Sequence, residues 1–361
     1  MALGWGIIGI GKLADIAIAP AIGKQGASEL AAVCSRDLDR ARQFAERHGA
    51  RAAYDDYGQM LDDPAVDVVY IASPNALHAE HTLAAVRAGK HVLVEKPMAL
   101  SVADGRAMAD AASSAGVTLG VGFHLRHKAT ALAARDAVRS GRIGRAFLAD
   151  ISVGAGKGLY PYHTWRADPR LAGGGTLLHQ GTHAIDLIAF VTDQAISEVT
   201  CQLDVTETDE GEGERQGAGG RGSEGEGERQ RAGGRGSEDV FTATCRLEDG
   251  TLATLSSHQL HAGTRPDWVL FGEQGWLACR GGTSPFPGDE LTVHVGRDEP
   301  SKLATSEVSA YDAEVDAFAA AVEGAAVVNG SGLDGLRVIA ACEALYRSAR
   351  ERRTVAVEAV G

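Results

Sequence analysis

Between Gly4 and Gly122 the chain repeats one unit, a short apolar run followed by a helical stretch. The runs are Trp5 to Ile8, Leu30 to Cys34, Val66 to Ile71, His91 to Val94 and Val117 to Val121, and none shows the strict alternation of a half-exposed strand. Helical stretches fall between them, near Ala14 to Lys24, Leu38 to His48, Leu77 to Ala88 and Val102 to Ala115. Gly49, Gly89 and Gly116 stand just past three of these, where a left-handed C-cap favours a residue without a Cβ. Strands that are apolar throughout need cover on both faces, and strands alternating with helices pair in parallel. The pattern predicts an α/β domain with a doubly wound parallel sheet over residues 1–122.

The first turn of that series says what such a sheet would bind. Gly9-Ile10-Gly11-Lys12-Leu13-Ala14 fits G-x-G-x-x-A, after the first strand and before the first helix. The first glycine permits a tight turn, and the second lets the backbone approach a pyrophosphate. The small third residue lets helix and strand pack closely, while the helix start, with Lys12 and Leu13, offers unpaired N–H groups to phosphate. A plain glycine turn is the alternative. The reading is a Rossmann domain for a dinucleotide. At the end of the second strand, Cys34-Ser35-Arg36-Asp37 places a hydroxyl and a guanidinium where an NAD enzyme usually has an acid. Ser35 and Arg36 therefore favour NADP over NAD, with Asp37 keeping NAD open and a solvated Arg36 as the plainer account.

After Gly122 the rhythm changes. Helices are expected at Ala129 to Ser140 and Thr176 to Phe190, and strands at Ala146 to Val153, Val199 to Val205, Val240 to Leu247, Thr251 to His258, Trp268 to Gly272 and Gly275 to Cys279. Two late helices, Ala310 to Val322 and Leu333 to Arg350, close the chain. Residues 123–361 thus form an α+β domain with a mainly antiparallel open sheet, for substrate binding and oligomerisation. Gly211 to Glu224 recurs as Gly225 to Glu238 with Gly217 replaced by Arg231. This Gly, Glu and Arg tract has too little apolar surface to offset its ordering entropy, so 207–239 reads as a disordered low-complexity insert.

Composition excludes several classes. With 361 residues, 44% of them hydrophobic, two cores of ordinary size are within reach. A formal net charge of -13 and the lack of a basic, aromatic-laced patch argue against nucleic acid. Five scattered cysteines without C-x-x-C spacing indicate neither a disulfide framework nor zinc. No apolar stretch approaches the roughly 20 residues of a membrane span. A soluble, cytoplasmic protein is expected.

Glu95-Lys96-Pro97 closes the fourth run of the parallel series, at the strand end where open α/β sheets bind ligands. Together with the glycine turn, Ser73-Pro74-Asn75 with His78, Trp165-Arg166, the block from Gly173-Gly174-Gly175 to Asp186, and Ala344-Leu345-Tyr346-Arg347-Ser348, it resembles the glucose-fructose oxidoreductase / inositol dehydrogenase / MocA family. The resemblance runs almost end to end and excludes the repeat. It implies an NAD(P)-dependent dehydrogenase or reductase that moves a hydride between a nicotinamide and a CH–OH or carbonyl carbon of a sugar, cyclitol or related polyol. On that basis Lys96 and His183 are the catalytic pair, Glu95 orients Lys96, and Pro97 allows a cis bond that aims it. Ser73, Pro74, Asn75, His78, Trp165 and Arg166 join Gly9, Gly11, Lys12, Leu13, Ser35 and Arg36 around the cofactor. An ammonium that polarises a carbonyl or steadies an alkoxide, beside an imidazole that exchanges a proton, suits this chemistry.

Helical spacing puts His179, His183 and Asp186 on one face, and His124 and Tyr162 are further candidates for the substrate. Many family members carry an aspartate one turn before the histidine, where this chain has His179. The exchange removes an anion and lowers the proton affinity of the imidazole pair. A metal would need a third ligand, for which His124, His127 and His163 are unplaced candidates; none is assigned. Two rivals remain: an enzyme that uses bound NAD transiently to cleave glycosides, and a non-catalytic NADP-binding regulator. The open face of the second sheet suggests a homodimer or homotetramer.

Overall fold

The computed structural model describes residues 2–24, 26–154, 164–205, 237–258 and 267–360. Strands β1 (Leu3–Ile8), β2 (Ser28–Cys34), β3 (Ala52–Tyr54), β4 (Val68–Ile71), β5 (His91–Glu95) and β6 (Leu119–Gly122) pair in parallel, in the order β3-β2-β1-β4-β5-β6. The order reverses between β1 and β4, and the crevice for a ligand opens beyond the carboxyl ends of those strands. Helices α1 (Ala19–Lys24), α2 (Leu38–His48), α3 (Tyr57–Leu61), α4 (His78–Arg87) and α5 (Val102–Ala115) make the connections. Their limits follow local chemistry. Asp37 and Ser101 accept backbone N–H groups at the starts of α2 and α5, and Gly49 and Gly116 end them at φ 73° and 67°.

Both faces of this sheet are covered, as its apolar strands require. Trp5, Ile7, Val33, Tyr70 and Leu93 pack with Ile18, Ile22 and Phe44 on one side. Ile8, Val69, Ile71, Val92 and Val94 pack with Met60, Met98 and Met108 on the other. The short β3 and α3 lie outside the sequence expectation, because three residues are too few to show a period. The stretch expected as one helix from Ala14 begins with a π-helical turn, Ala14–Ile18; Pro20, which has no N–H to donate, follows at the start of α1.

The second sheet contains β7 (Ala146–Gly154), β8 (Ile196–Asp204), β9 (Val240–Leu247), β10 (Leu252–His258), β11 (Trp268–Gly272), β12 (Gly275–Arg280), β13 (Glu290–Val295), β14 (Ser301–Thr305) and β15 (Val355–Ala356). Its order is β14-β13-β12-β11-β7-β10-β9-β8-β15, antiparallel except for the β7–β10 pair. The strands β13, β14 and β15 extend it beyond the sequence reading. The remaining helices are α6 (Ala129–Arg139), α7 (Pro169–Ala172), α8 (Thr182–Thr192), α9 (Ala310–Val322) and α10 (Gly332–Glu351). Ile185 and Ile188 of α8 and Leu345 of α10 share one core with Val199, Phe241 and Leu255 of the sheet. The late helices also return to the parallel sheet: Phe318 meets Trp5 edge-on at 5.9 Å, and α10 approaches α5 closely at Gly105.

Most of the repeat, through Gly236, lies outside the described residues. Its expected end is corrected. Glu238 and Asp239, read as part of a disordered insert, are buried at 9% and 1% exposure. The Asp239 N–H donates to the Asp204 carbonyl at 3.1 Å, so β8 and β9 are closed by a backbone bond at the point where the insert enters and leaves.

Candidate active site

The first-half candidates stand at the carboxyl edge of the parallel sheet. Gly9 has φ +95°, and a Cβ there would lie 2.6 Å from the Ala72 carbonyl carbon. Gly11 has nothing within 4 Å of a Cβ position, which leaves its backbone open to approach. Ala14 is fully buried and lets the following helix settle on β1. These residues fit a dinucleotide pyrophosphate by shape as well as by motif. Beyond β2, Arg36 is exposed, while the Asp37 carboxylate accepts the Arg40 N–H at 3.1 Å as the cap of α2. Arg40 itself donates through Nη2 to the Ile10 carbonyl at 3.1 Å, bringing a second guanidinium to the glycine turn. Sequence reasoning missed it, because an arginine one turn into a helix looks like an ordinary surface residue.

Beyond β4, Ser73 Oγ meets His81 Nδ1 at 2.9 Å, and Asn75 Nδ2 donates to the Ala172 carbonyl at 2.8 Å. His78 is 1% exposed, with Nδ1 2.7 Å from the Pro97 carbonyl and Nε2 3.0 Å from that of Ser73. Both ring nitrogens face backbone carbonyls, and the single N–H of the neutral ring donates to one of them, so His78 lies between the β4 and β5 loops instead of turning to the crevice. Burial pushes it down to about 4.

Lys96 follows β5, and its bond to Pro97 is cis. Its Nζ donates to the His179 carbonyl at 2.5 Å. Glu95 supports it from behind: Oε1 accepts the Tyr70 hydroxyl at 2.5 Å, and Oε2 accepts the Lys96 backbone N–H at 3.2 Å. Burial lowers Lys96 to about 8; the Glu95 charge opposes that shift and the nearby Arg166 reinforces it.

The histidine segment is positioned by close approach. A Cβ on Gly174 would lie 2.1 Å from the Tyr346 hydroxyl, and one on Gly175 would lie 1.9 Å from the Glu238 carbonyl oxygen. Leu177–Gly181 is a π-helical turn that runs into α8. Glu238 Oε1 accepts the N–H groups of Gly175 and Leu177 at 2.9 and 3.1 Å and the Tyr346 hydroxyl at 2.8 Å. A carboxylate thus caps the start of the helix that bears the histidines. Its sequence signal was hidden by the low-complexity repeat it terminates.

His183 lies edge-on to His124 at 4.7 Å, and His124 lies 4.3 Å from the Tyr311 ring. The Nδ1 atoms of His124 and His183 are buried without a hydrogen-bond partner among the described residues. Burial, with Lys96 nearby, holds both imidazoles well below the usual histidine range. Burial, Lys96 and Arg166 take His179 down to about 3. Trp165 stands 6.3 Å from the His179 ring, and Arg166 lies over the indole at 4.4 Å. These rings are neutral near pH 7, and burial disfavours their protonated form.

Asp186 departs from its assigned role. The π-helical turn shifts His179 relative to α8, whereas His183 and Asp186 keep their regular spacing within it, and what turns Asp186 away is its partner. Asp186 is 1% exposed and clamped by Arg126, whose Nε lies 3.2 Å from Oδ2 and whose Nη2 bonds to Oδ1. Arg126 also reaches Asp334 at 3.2 Å and lies over Phe190 at 5.0 Å. The carboxylate is thereby engaged in an ion pair and not offered to substrate hydroxyls. Tyr162 and His163 lie outside the described residues. Among the described residues no group of three or more His, Cys, Asp or Glu side chains is arranged to hold a metal ion.

Two family models match the chain: an oxidoreductase family with an NAD-binding Rossmann fold at residues 3–123, and the GFO/IDH/MocA C-terminal domain at 131–278. The 1,5-anhydro-D-fructose reductase of Ensifer adhaerens is 30% identical over 356 residues, 98% of each chain. The chain belongs to the GFO/IDH/MocA oxidoreductase family. The D-glucoside 3-dehydrogenase of Escherichia coli (strain K12) is 35% identical to this GFO/IDH/MocA member over 185 residues, 51% of this chain and 52% of the relative. The crystal structure of an aldose-aldose oxidoreductase from Caulobacter crescentus, complexed with glycerol, aligns with it at a TM-score of 0.84 and 26% identity, covering 99% of this chain and 100% of that one. As a GFO/IDH/MocA protein the chain is a nicotinamide-dependent oxidoreductase.

Proposed function

We propose that the protein interconverts an alcohol and a carbonyl on a sugar, cyclitol or related polyol, with Lys96 and His183 handling the proton. The observation that carries this reading is the Lys96 ammonium held against the His179 carbonyl, one helical turn from the buried, neutral His183. A bound nicotinamide supplies the hydride acceptor or donor. In alcohol oxidation, His183 accepts the hydroxyl proton and the Lys96 ammonium stabilises the developing alkoxide; in carbonyl reduction, Lys96 polarises the oxygen and the proton returns to it. At about 8, Lys96 is mostly ammonium at pH 7 and titrates just above it.

The preferred cofactor in this reading is NADP. Asp37 is occupied as a helix cap, whereas Ser35, the exposed Arg36 and Arg40 offer a hydroxyl and guanidinium groups near the end of β2, chemistry that suits a 2'-phosphate. Leu148 and Leu252 are neighbours on the open face of the second sheet, 37% and 45% exposed, and support pairing of copies into a homodimer or homotetramer. The five cysteines are buried and unpaired, which suits a reducing cytoplasm. Among the described residues no helix is long and apolar enough to cross a membrane.

The test is a spectrophotometric screen of polyols and aldoses with NADP and NAD in parallel. Lys96→Ala and His183→Ala should each lower kcat by about 10²- to 10⁴-fold, with cofactor affinity nearly unchanged. Full rates in both variants refute the proton assignment. Tight cofactor binding without turnover of any substrate favours a regulatory protein, and glycoside cleavage without net cofactor reduction favours transient oxidation.

A further inference from the structure

Arg126 gathers more partners than charge balance alone requires. Its Nε and Nη2 meet the two oxygens of Asp186 on α8, the former at 3.2 Å. Its Nη1 lies 3.4 Å from the Asn329 side-chain oxygen and 3.2 Å from Asp334, whose carboxylate completes the capping box at the start of α10. The Phe123 and Phe190 rings lie 5.5 and 5.0 Å from the guanidinium carbon. One planar group with a fixed fork of donors thus joins the 3₁₀ turn His124–His127 to α8, to the loop at Asn329 and to α10. The histidines of the candidate site stand on two of those elements. His124 precedes Arg126 by two residues in the turn, and His183 precedes Asp186 by three in α8. Their rings meet edge-on at 4.7 Å, and neither Nδ1 has a hydrogen-bond partner among the described residues. Their orientation therefore depends on how the two elements are set against each other, with the Tyr311 ring 4.3 Å from His124 on a further side.

As a source of stability the ion pair is poor. The side chains of Arg126 and Asp186 are 5% and 2% exposed, and burial raises Asp186 to about 6 even with Arg126 against it, so removal from water outweighs the attraction. A well-packed apolar pair could occupy the same space at no greater cost. It could not reproduce the two-point fork, which admits one setting of the turn on the helix. We propose that Arg126 is a positioning residue: its fork on Asp186 fixes the His124 turn against α8 and thereby holds the His124 ring on His183. At 4% exposure it acts through those rings. This deepens the oxidoreductase reading above and rests on the proton role given there to His183.

Two variants of the full-length protein separate placement from stability. Arg126→Met with Asp186→Leu removes both charges, and Arg126→Lys keeps the charge but loses the fork. Urea unfolding is read beside kcat and KM on the best substrate of the polyol and aldose screen. The double variant should regain most of the urea midpoint that Arg126→Met alone loses. Its kcat should nevertheless stay about 10- to 100-fold below the parent while the KM for the cofactor moves less than about threefold, since a misplacement of about 1 Å can cost about 10²-fold in rate. Arg126→Lys should show the same split. Parental kcat in either variant overturns the proposal, and so does a double variant no more stable than Arg126→Met, which would make the pair a stabilising one. If the double variant does not fold, Arg126→Lys decides alone. A parent that turns over no substrate ends the redox reading, and NMR of the protein with isotope-labelled histidine then tests placement by itself. The ring signals of His124 and His183, assigned from His124→Asn and His183→Asn, should shift or double in Arg126→Lys; unchanged signals overturn the proposal.

Discussion

Replacing Glu238 with alanine tests whether one carboxylate holds the histidine-bearing helix in place. Glu238 is 9% exposed, and its Oε1 accepts from the Gly175 N–H, the Leu177 N–H and the Tyr346 hydroxyl at 2.8 to 3.1 Å. Alanine leaves these donors without their acceptor. A buried unsatisfied donor costs about 1–3 kcal/mol, and loss of a helix cap alone costs about 0.5–2 kcal/mol. Water that enters the vacated space satisfies part of the demand, so the expected loss is about 3–5 kcal/mol, a large share of a typical total of about 5–15 kcal/mol. Glu238→Gln keeps the acceptor oxygen and loses only the charge at the helix start, for about 1–2 kcal/mol. Tyr346→Phe removes one donor and should cost about 1 kcal/mol. Urea unfolding reads all three, and kcat should fall most in the alanine variant, because the turn it releases carries His179. A Glu238→Ala protein within about 1 kcal/mol of the parent refutes the argument, as does a glutamine variant as unstable as the alanine one.

Three other perturbations follow from the geometry. Arg126→Met strands the buried Asp186 charge and should destabilise by about 3–5 kcal/mol, whereas Arg126→Met with Asp186→Leu should recover most of that; a single-variant loss below about 1 kcal/mol in urea unfolding contradicts the clamp. His78, His127 and His179 are depressed to about 4, 3 and 3, so below their unfolded value of about 6.5 the unfolded chain binds more protons and stability falls as pH drops. Asp186, raised to about 6, acts in the opposite sense between about 4 and 6, so these four groups alone give a slope near pH 5 of about two protons, roughly 3 kcal/mol per pH unit; the depressed His124 and His183 add to it and the raised Glu314 opposes it. A thermal midpoint that stays flat between pH 6.5 and 5 refutes the neutral imidazoles. Deleting residues 211–224 should leave kcat unchanged and stability within about 0.6 kcal/mol, since halving a loop changes its closure entropy little; a substantial loss in either assay shows that the repeat makes contacts of its own.

Apart from the short β3 and α3, the parallel half was legible because its signals are local: apolar runs, helix caps, glycine stops and the first turn all reside in contiguous residues. The crevice beyond β1 and β4 followed from these, since parallel topology brings every strand's carboxyl end to one edge. What escaped was set by partners distant in sequence. Asp186 has the spacing of a site residue, yet its direction is fixed by Arg126, 60 residues away. His78 carries the chemistry of a ligand but is enclosed between the backbone carbonyls of two neighbouring loops, donating its one N–H to either. Glu238 looked like the tail of a charged repeat until Gly175, Leu177 and Tyr346 were placed around it. The strands β14 and β15 were missed for a different reason, being too short or too polar to show a period, while β13 carries an alternation of Leu291, Val293 and Val295 that was passed over.

The closed join between Asp204 and Asp239 has a consequence for the history of the gene. Gly222-Ser223-Glu224 ends one copy of the repeat and Gly236-Ser237-Glu238 ends the other, so losing either copy still leaves a glutamate directly before Asp239. Slippage during replication can therefore lengthen or shorten this segment in whole copies while the register of β9 and the carboxylate at the helix start are preserved. Selection has little to act on between the two ends. Related genes are expected to differ in copy number there while keeping that last glutamate, which comparison of the locus among closely related strains can check.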